Sequence, residues 1–376
     1  MASPTIVDIA RLAGVSFKTV ARVINHEPAV KPETRERVEA VIARLNYRPN
    51  VWARTLRSSR THLIGLIFAY PRGLRSIRSP YNASLQRLFA SSYYMNQTHI
   101  AAMSVCQRLG YHLFMEEEQA QGRELERRAR EIIKSTQLDG VLLAPPLADD
   151  LALLKLLDAE DVSFVRLEPT KYLDVAPYVY MDDRKAAYEE TKLLCDLGHR
   201  AIGFIKGPKD HGSSELRYGG FEDAMKERGL PIKREWCTQI DYSNAKLGME
   251  AGDILLTRRP RPTAIFAFND EVAIGVISAA LRRGLRVPED ISIVGFDDSP
   301  LASMFWPGLT TIHHPIAEMT QRACEMLIEK IESKDTQPVV RFDFDIIRRE
   351  TTTAPPGDQN RGGVRPGKRG AASRKS

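Results

Sequence analysis

Cysteine is scarce in this chain of 376 residues, and the four cysteines present lie far apart. No two of them have the spacing of a zinc site or of a redox motif. The simplest interpretation is four reduced, mostly buried thiols in a cytoplasmic protein. We therefore expect no metal and no other cofactor. The four are Cys106, Cys195, Cys237 and Cys324.

Long apolar runs and catalytic motifs are missing too. No run approaches the roughly 20 residues of a membrane-spanning helix, and the polar start of the chain does not resemble a signal peptide. There is no phosphate-cradling glycine-rich loop and no nucleophile elbow. The pairs Asp182–Asp183, Asp297–Asp298 and His313–His314 lack metal-ligand spacing. These absences argue against an enzyme.

Length and charge indicate several domains with different tasks. A chain of 376 residues can bury two or three cores. The net charge is +6, yet residues 1–60 hold 11 Lys and Arg against 5 Asp and Glu, and residues 358–376 hold 6 against 1. The long middle is therefore mildly acidic. A basic head on an acidic body predicts nucleic-acid binding by the head.

Residues 5–25 have the pattern of two short helices joined by a tight turn. The first helix carries an apolar stripe from Ile6 to Ala13, and Gly14 follows where positive φ is tolerated. Ser16 can cap a second helix, from Phe17 to Asn25. The exposed face of this helix carries an aromatic ring and two cations, which suits the DNA major groove. A small helical domain with a solvated charged face is the alternative. That face is made of Phe17, Lys18, Ala21 and Arg22.

The next residues predict a third helix and a hinge. Pro32 marks the start of an amphipathic helix that would pack under the first two. Asn50 can cap a helix that ends near Leu56, well short of the roughly 12–15 residues that persist alone in water. Ala53 and Leu56 share one face of it, with Arg57 and other arginines around them. An apolar wedge ringed by arginines is what a minor-groove kinking element needs.

Three segments of the first sixty residues, Thr5–Ser16, Thr19–Asn25 and Tyr47–Asn50, resemble the headpiece and hinge of the lactose-repressor (LacI) family of bacterial transcription regulators. Ala21 departs from the Ser that most of the family has, and Lys31 stands where a better cap is usual. From this resemblance and the helix faces we expect a set of DNA contacts. They are Thr5, Ser16, Phe17, Lys18, Thr19, Arg22, Asn25, Asn50, Ala53, Leu56 and Arg57.

After residue 60 the pattern changes to alternating strands and helices. Short apolar runs of the buried parallel type recur, in one series from Leu63 to Leu167 and a second from near Val179 to Gly295. Two such series predict two doubly wound lobes, with a ligand site where strand ends from both converge. Further segments resemble the same family, whose core is like a two-lobed periplasmic sugar-binding protein. They are Gly198–Ile205, Ala267–Asp270, Ile293–Asp298 and Leu309–Ile312.

The predicted organisation therefore has four parts. These are an all-α helix-turn-helix headpiece (1–48), a hinge helix and linker (49–60), a two-lobed α/β domain for effector binding and dimerisation (61–350), and a basic disordered tail (351–376). The resemblance gives lobe 1 residues 61–178 and 314–336, and lobe 2 residues 179–313 and 337–350.

Two segments have no assigned role. Residues 72–89 look inserted at the mouth of the expected cleft and could be a lid, a dimer contact or a flexible loop. The basic tail could tether the protein to DNA without sequence preference, or it could have no role. No leucine-heptad pattern follows the core, which favours a dimer over a tetramer.

A buried sugar needs planar hydrogen-bonding groups, because each hydroxyl is both donor and acceptor. By resemblance, Arg217, Asn269 and Asp297 occupy effector-binding positions of sugar-responsive family members. Arg166 and Glu168 are two apart near a strand end and should point to the same side. The remaining candidates are Tyr93 and Tyr94, as an aromatic floor, and His314, where Gln is frequent in the family.

These observations predict a cytoplasmic, ligand-responsive transcription regulator, with repression favoured. It would bind a palindromic operator as a homodimer and sense a small carbohydrate. A nucleoside or purine is the alternative effector. A free-standing sugar-binding protein is disfavoured by the headpiece and by the absence of an export signal.

Overall fold

The computed structural model describes residues 5–24, 30–45, 60–69, 93–118 and 122–357. The chain divides after His62 into a small helical unit and a large α/β unit. Several predictions lie outside the described residues: the hinge helix, the insert at 72–89 and the end of the tail. The same holds for the candidate DNA contacts Asn25, Asn50, Ala53, Leu56 and Arg57.

The small unit is the predicted helix-turn-helix headpiece. Its helices are α1 (Ile6–Ala13), α2 (Phe17–Ile24) and α3 (Pro32–Arg44). Thr5 caps α1 in a reciprocal box with Asp8, and Gly14 ends that helix at a φ of 63°. The apolar faces of the three helices meet in one core, which contains the buried residues Ile9, Val20, Val23 and Val38.

The large unit alternates strands and helices. Its helices are α4 (Tyr93–Leu109), α5 (Arg123–Thr136), α6 (Leu151–Ala159), α7 (Asp183–Asp196), α8 (Gly212–Glu227), α9 (Ala245–Leu256), α10 (Asp270–Arg282), α11 (Pro300–Met304) and α12 (Ile316–Ile331). Its strands are β1 (Leu63–Ala69), β2 (His112–Glu118), β3 (Gly140–Leu143), β4 (Ser163–Leu167), β5 (Tyr178–Met181), β6 (Ile202–Lys206), β7 (Cys237–Gln239), β8 (Ala264–Ala267), β9 (Ser292–Val294), β10 (Thr311–His313), β11 (Val339–Phe342) and β12 (Asp345–Ile347).

Two parallel sheets define two lobes. The first sheet has the order β11-β5-β4-β3-β1-β2 and the second the order β7-β6-β8-β9, while β10 and β12 form a small antiparallel pair. Every residue of β3 and of β8 is buried, because helices cover both faces of each sheet. No helix within the described ranges is long and apolar enough to cross a membrane.

The division into lobes differs from the prediction at two strands. β5 pairs with β4, and β11 pairs with β5, so both lie in the first sheet rather than in lobe 2. The loop at 168–177 turns the chain back beside β4, so β5 does not begin a new sheet. Strand order depends on such connections, which apolar patterning does not show.

The disordered tail was predicted to begin at 351, and this start is wrong. Thr351 is fully buried beside β9. Its amide donates to the carbonyl of Gly308 at 3.1 Å, and its carbonyl accepts from Ile293 at 2.9 Å. Thr353 accepts from the ring of His199 at 2.8 Å. These bonds satisfy backbone groups at the edge of the second sheet, so the chain at 351–353 is part of the folded large unit.

Candidate effector site and DNA-reading surface

The start of α2 presents polar, aromatic and cationic groups together. Phe17 is 37% exposed although it is a large apolar residue, and Lys18 beside it is exposed. Ser16 caps the helix, since its hydroxyl accepts the Thr19 amide at 3.1 Å. A protruding helix end with a cation, a ring and hydroxyls can bond base edges and phosphates. Thr5 is exposed at the start of α1, and Arg22 is half-buried.

In the large unit, the candidate side chains meet where strands of both sheets end. Glu168 follows β4 of the first sheet, and Asp297 follows β9 of the second. His314 follows β10, and Arg217 reaches in from α8. The carboxyl ends of parallel strands are the usual ligand position in such folds. The cluster therefore lies where the sequence placed the effector site.

Arg217 is buried among acids and rings. Its Nε donates to Oδ1 of Asp183 at 2.6 Å, and its Nη1 donates to the carbonyl of Phe268 at 2.8 Å. Its Nη2 lies 3.9 Å from Oδ1 of Asp297, and its guanidinium sits 3.5 Å from the centre of the Phe296 ring. Burial alone would lower the pKa of Arg217, but Asp183 and Asp297 outweigh burial and raise it. Nη2 is thus the donor with the loosest partner.

His314 is clamped between two carboxylates. Its Nε2 lies 2.7 Å from Oε1 of Glu168, and its Nδ1 lies 3.3 Å from Oδ1 of Asp297. Burial alone would lower the pKa of His314, but the two carboxylates raise it to about 10. The imidazolium and the Tyr94 hydroxyl in turn lower the pKa of Glu168 against the effect of burial. His314 is therefore charged at neutral pH.

The tyrosines at the start of α4 border this cluster. The ring of Tyr94 lies 5.9 Å from that of His314. Burial and the neighbouring Glu168 raise the pKa of Tyr94 well above its usual range. Burial and nearby aspartates also raise the pKa of Tyr93, whose amide donates to Glu271 at 3.2 Å. Tyr93 and Tyr94 are each only partly buried as whole residues, and both lie beside the acids of the cluster.

Arg166 does not join the cluster, and the expectation that it points with Glu168 is wrong. Glu168 has a φ of 46°, so the alternation of the strand is broken before it. The guanidinium of Arg166 instead donates to backbone carbonyls of the loop after β4, including those of Lys171 at 3.0 Å and Tyr172 at 2.7 Å. Arg166 therefore fixes this loop.

Asn269 has a structural task at the edge of the cluster. Its side-chain oxygen caps α10 by accepting the Val272 amide at 3.1 Å. Asp270, the next residue, accepts from the Thr311 hydroxyl and the Ser299 amide, each at 2.6 Å. Burial and Asp297 raise the pKa of Asp270 to about 7. Asn269 thus lies at the expected edge of the second sheet, and its only side-chain oxygen already accepts a hydrogen bond.

Sequence reasoning missed part of the site. Asp183 was noted only as half of an Asp-Asp pair, and the rings of Phe268 and Phe296 were not considered. All three follow strands, which is a signal that could have identified them. Asp297 and Asp298 have φ values of 112° and 52°. Two successive left-handed residues other than glycine indicate strain, which collects at functional sites.

Comparison with known proteins identifies the family. Residues 5–50 match the model of "Bacterial regulatory proteins, lacI family", and residues 191–352 match a periplasmic binding protein-like domain. The repressor PurR of Haemophilus influenzae (strain PittEE) is 34% identical over 335 residues, which cover 88% of this chain and 92% of that protein. This chain belongs to the lacI family. It is a DNA-binding transcriptional regulator and not an enzyme.

Other relatives agree with this assignment. The regulator DegA of Bacillus subtilis (strain 168) is 33% identical over 317 residues, or 84% of this chain and 88% of DegA. The lac repressor dimer bound to operator and the anti-inducer ONPF gives a TM-score of 0.78 at 25% identity, over 94% of this chain and 100% of that one. The complex of regulator CelR with cellobiose gives 0.68 at 28%, over 93% and 100%. The predicted family and fold class are confirmed.

Proposed function

We propose that this regulator represses transcription in the cytoplasm by binding a palindromic operator as a homodimer. We further propose that a small uncharged effector, bound where the two sheets converge, controls its affinity for DNA. The observation that carries the second part is the buried cluster of Arg217, His314 and Asp297 between the strand ends of both lobes. An effector there contacts both lobes and can bias their arrangement.

The charges of the cluster favour an uncharged effector. Two cations, Arg217 and His314, face three buried carboxylates, Glu168, Asp183 and Asp297. Both ring nitrogens of His314 and two of the three nitrogens of Arg217 are already engaged. Among the described residues, an added phosphate would therefore meet more carboxylates than available cations.

A nucleobase or nucleoside is the effector class that we propose first. Its flat ring can stack on an aromatic ring such as those of Tyr93 and Tyr94, which border the cluster, and its N–H groups can donate to the carboxylates. The relatives that are 34% identical over most of the chain are repressors named PurR, and nothing in that name points to a sugar as the effector. These points weigh against the carbohydrate expected from the sequence.

A carbohydrate remains the second candidate, on a specific observation. The regulator CelR, of similar structure, was solved as a complex with cellobiose. Arg217 and Asp297 also offer a fork of donors and a pair of acceptors, which can bond adjacent hydroxyls. The two effector classes use overlapping groups of the same cluster.

A thermal-shift screen decides between them. The full-length protein is heated with adenosine, guanosine, free purine bases, glucose and cellobiose, each over a concentration series. A ligand at 100 times its dissociation constant adds about 2.7 kcal/mol to the free energy of unfolding. We expect a concentration-dependent shift with a base or nucleoside. A shift with a sugar alone would replace the first candidate by the second, and no shift with any compound would contradict both.

A further inference from the structure

His314 touches acids that belong to different lobes. Glu168 extends from the end of β4 in the first sheet, and Asp297 extends from the end of β9 in the second. The ring bonds the first at 2.7 Å and the second at 3.3 Å. The His314 side chain is 1% exposed, and the two carboxylate side chains are 9% and 8% exposed. The chain thus encloses a carboxylate–imidazolium–carboxylate bridge between its lobes.

The bridge needs the positive charge of the ring. A neutral imidazole has one donor and one acceptor, whereas an imidazolium donates from both nitrogens. Only the charged form can therefore donate to both carboxylates at once. If the charge is removed, Glu168 and Asp297 face each other across the lobes. Among the described residues, Arg217 is then the cation left beside these acids, and its Nη2 lies 3.9 Å from Oδ1 of Asp297 while its Nε bonds Asp183.

A second point of contact shows that the lobes meet closely beside this bridge. Thr170, in the loop after β4, lies against Gly212 at the start of α8, and a Cβ on Gly212 would overlap the Thr170 hydroxyl. Asp149 holds Thr170 in place by accepting its amide at 2.8 Å. Loop and helix belong to different lobes, so the arrangement around His314 is a closed one.

We propose that His314 is a positioning residue that holds the two lobes closed through Glu168 and Asp297, and is not a ligand of the effector. Both of its ring nitrogens are hydrogen-bonded to carboxylates of the protein, so it has no donor left for a bound molecule. Asp297 is shared between the bridge and Arg217, and it therefore couples lobe closure to the groups that would bind an effector. This coupling rests on the proposed function, whereas the bridge itself does not.

The test compares His314→Gln with two further variants in the full-length protein. Gln can replace one hydrogen bond but carries no charge. Adding Glu168→Gln removes the carboxylate that His314→Gln leaves without its charged partner. The double variant should therefore recover the slow amide exchange and the effector affinity that the single variant loses. His313→Gln is the control, because the neighbouring ring is 44% exposed and bonds Asp298.

Hydrogen exchange of the protein without any ligand tests directly whether the bridge holds the lobes together. Backbone amides of 168–172 and 297–299 should exchange at least about tenfold faster in His314→Gln, and near the wild-type rate in the double variant and in His313→Gln. Equal exchange in His314→Gln and His313→Gln would overturn the proposal. A double variant whose amides exchange as fast as those of His314→Gln would overturn it as well. If His314→Gln does not fold, a folded double variant supports the bridge and an unfolded one contradicts it.

Adenosine titration then tests the coupling. We expect the dissociation constant to rise at least about tenfold in His314→Gln and to recover at least partly in the double variant. A wild-type protein that binds neither adenosine nor any other screened compound would refute the proposed effector, and the exchange result would still decide the bridge. If the amides of His314→Gln do exchange faster but its adenosine affinity is unchanged, the coupling is refuted.

Discussion

Glu190 lies on α7, seven residues after Asp183, and is fully buried. Neither carboxyl oxygen has a hydrogen-bond partner in the described structure. Burial and the nearby Asp270 raise the pKa of Glu190 well above its usual range. An unpaired buried polar group costs about 1–3 kcal/mol. Glu190 therefore costs stability at this position.

Glu190→Met should stabilise the protein by about 1–3 kcal/mol, because an unbranched apolar side chain of similar length replaces the unpaired acid. Urea unfolding of the full chain measures the change. Glu189→Met is the matched control, since Glu189 is partly exposed and 3.9 Å from Lys192, and it should change stability by less than about 0.5 kcal/mol. A less stable Glu190→Met would mean that the carboxyl has a partner worth more than its burial cost.

Asp270 predicts a pH dependence of stability. Its pKa in the folded chain is about 7, raised by burial and by Asp297. A carboxyl whose folded pKa lies above its unfolded value stabilises fully below about pH 4, and this contribution is lost as the pH rises through 7. Asp270→Asn should therefore make the unfolding free energy fall less between pH 4 and pH 7. Any loss of stability that the substitution causes equally at every pH does not affect this comparison. Parallel curves for wild type and variant, from urea melts across that range, would contradict the assignment.

At the scale of helices and strands, most of the architecture could be predicted from the sequence. Apolar periodicity located the helices of the headpiece and the alternating strands, since both follow from local patterns. The partner of β5 could not be predicted, because it depends on the path of a loop. The directions of Arg166 and Glu168 could not be predicted either, because one residue of positive φ broke the alternation.

The contact between α8 and the loop after β4 gives a prediction at this scale. Gly212→Ala should push Thr170 away, because the added methyl overlaps its side chain. We expect weaker effector binding and faster exchange of amides 168–172. Adding Thr170→Gly removes the obstructing side chain and should restore both properties. If the double variant exchanges as fast as Gly212→Ala alone, the contact does not hold the lobes.

For the whole molecule, the two units give separable properties. Residues 1–60 carry 11 cations, and a dimer carries them twice. With about 6–10 phosphate contacts, affinity for duplex DNA should fall roughly 10³–10⁵-fold between 50 and 200 mM salt. Lys18→Ala should weaken DNA binding and reduce this slope, since one exposed cation is lost at the start of α2. A mobility-shift titration with no salt response would contradict binding through the headpiece.

Asp297→Asn is the complementary change in the large unit. Asp297 has a φ of 112°, in the left-handed region that Asn tolerates better than most residues, so the backbone should survive the substitution. The change removes one charge from the bridge to His314 and from the pair with Arg217. Arg217 itself is a poor target, because its loss would leave the buried charge of Asp183 unpaired, at about 3–5 kcal/mol.

In Asp297→Asn, the amide oxygen of the new side chain can still accept from Nδ1 of His314, so the bridge between the lobes keeps this hydrogen bond. We therefore expect Asp297→Asn to bind operator DNA like the wild type when no effector is present, and to bind the effector at least about tenfold more weakly. Coupling between two sites equals the difference in ligand affinity between two conformations, so a lost effector contact removes the response and leaves the DNA contacts intact. Lys18→Ala should show the reverse pattern. Calorimetry with the effector found by the screen, and operator titrations with and without it, measure both variants. If Asp297→Asn lost operator binding without effector, Asp297 would be holding the fold or the arrangement of the lobes that binds DNA, and its role would not be limited to contacting the effector.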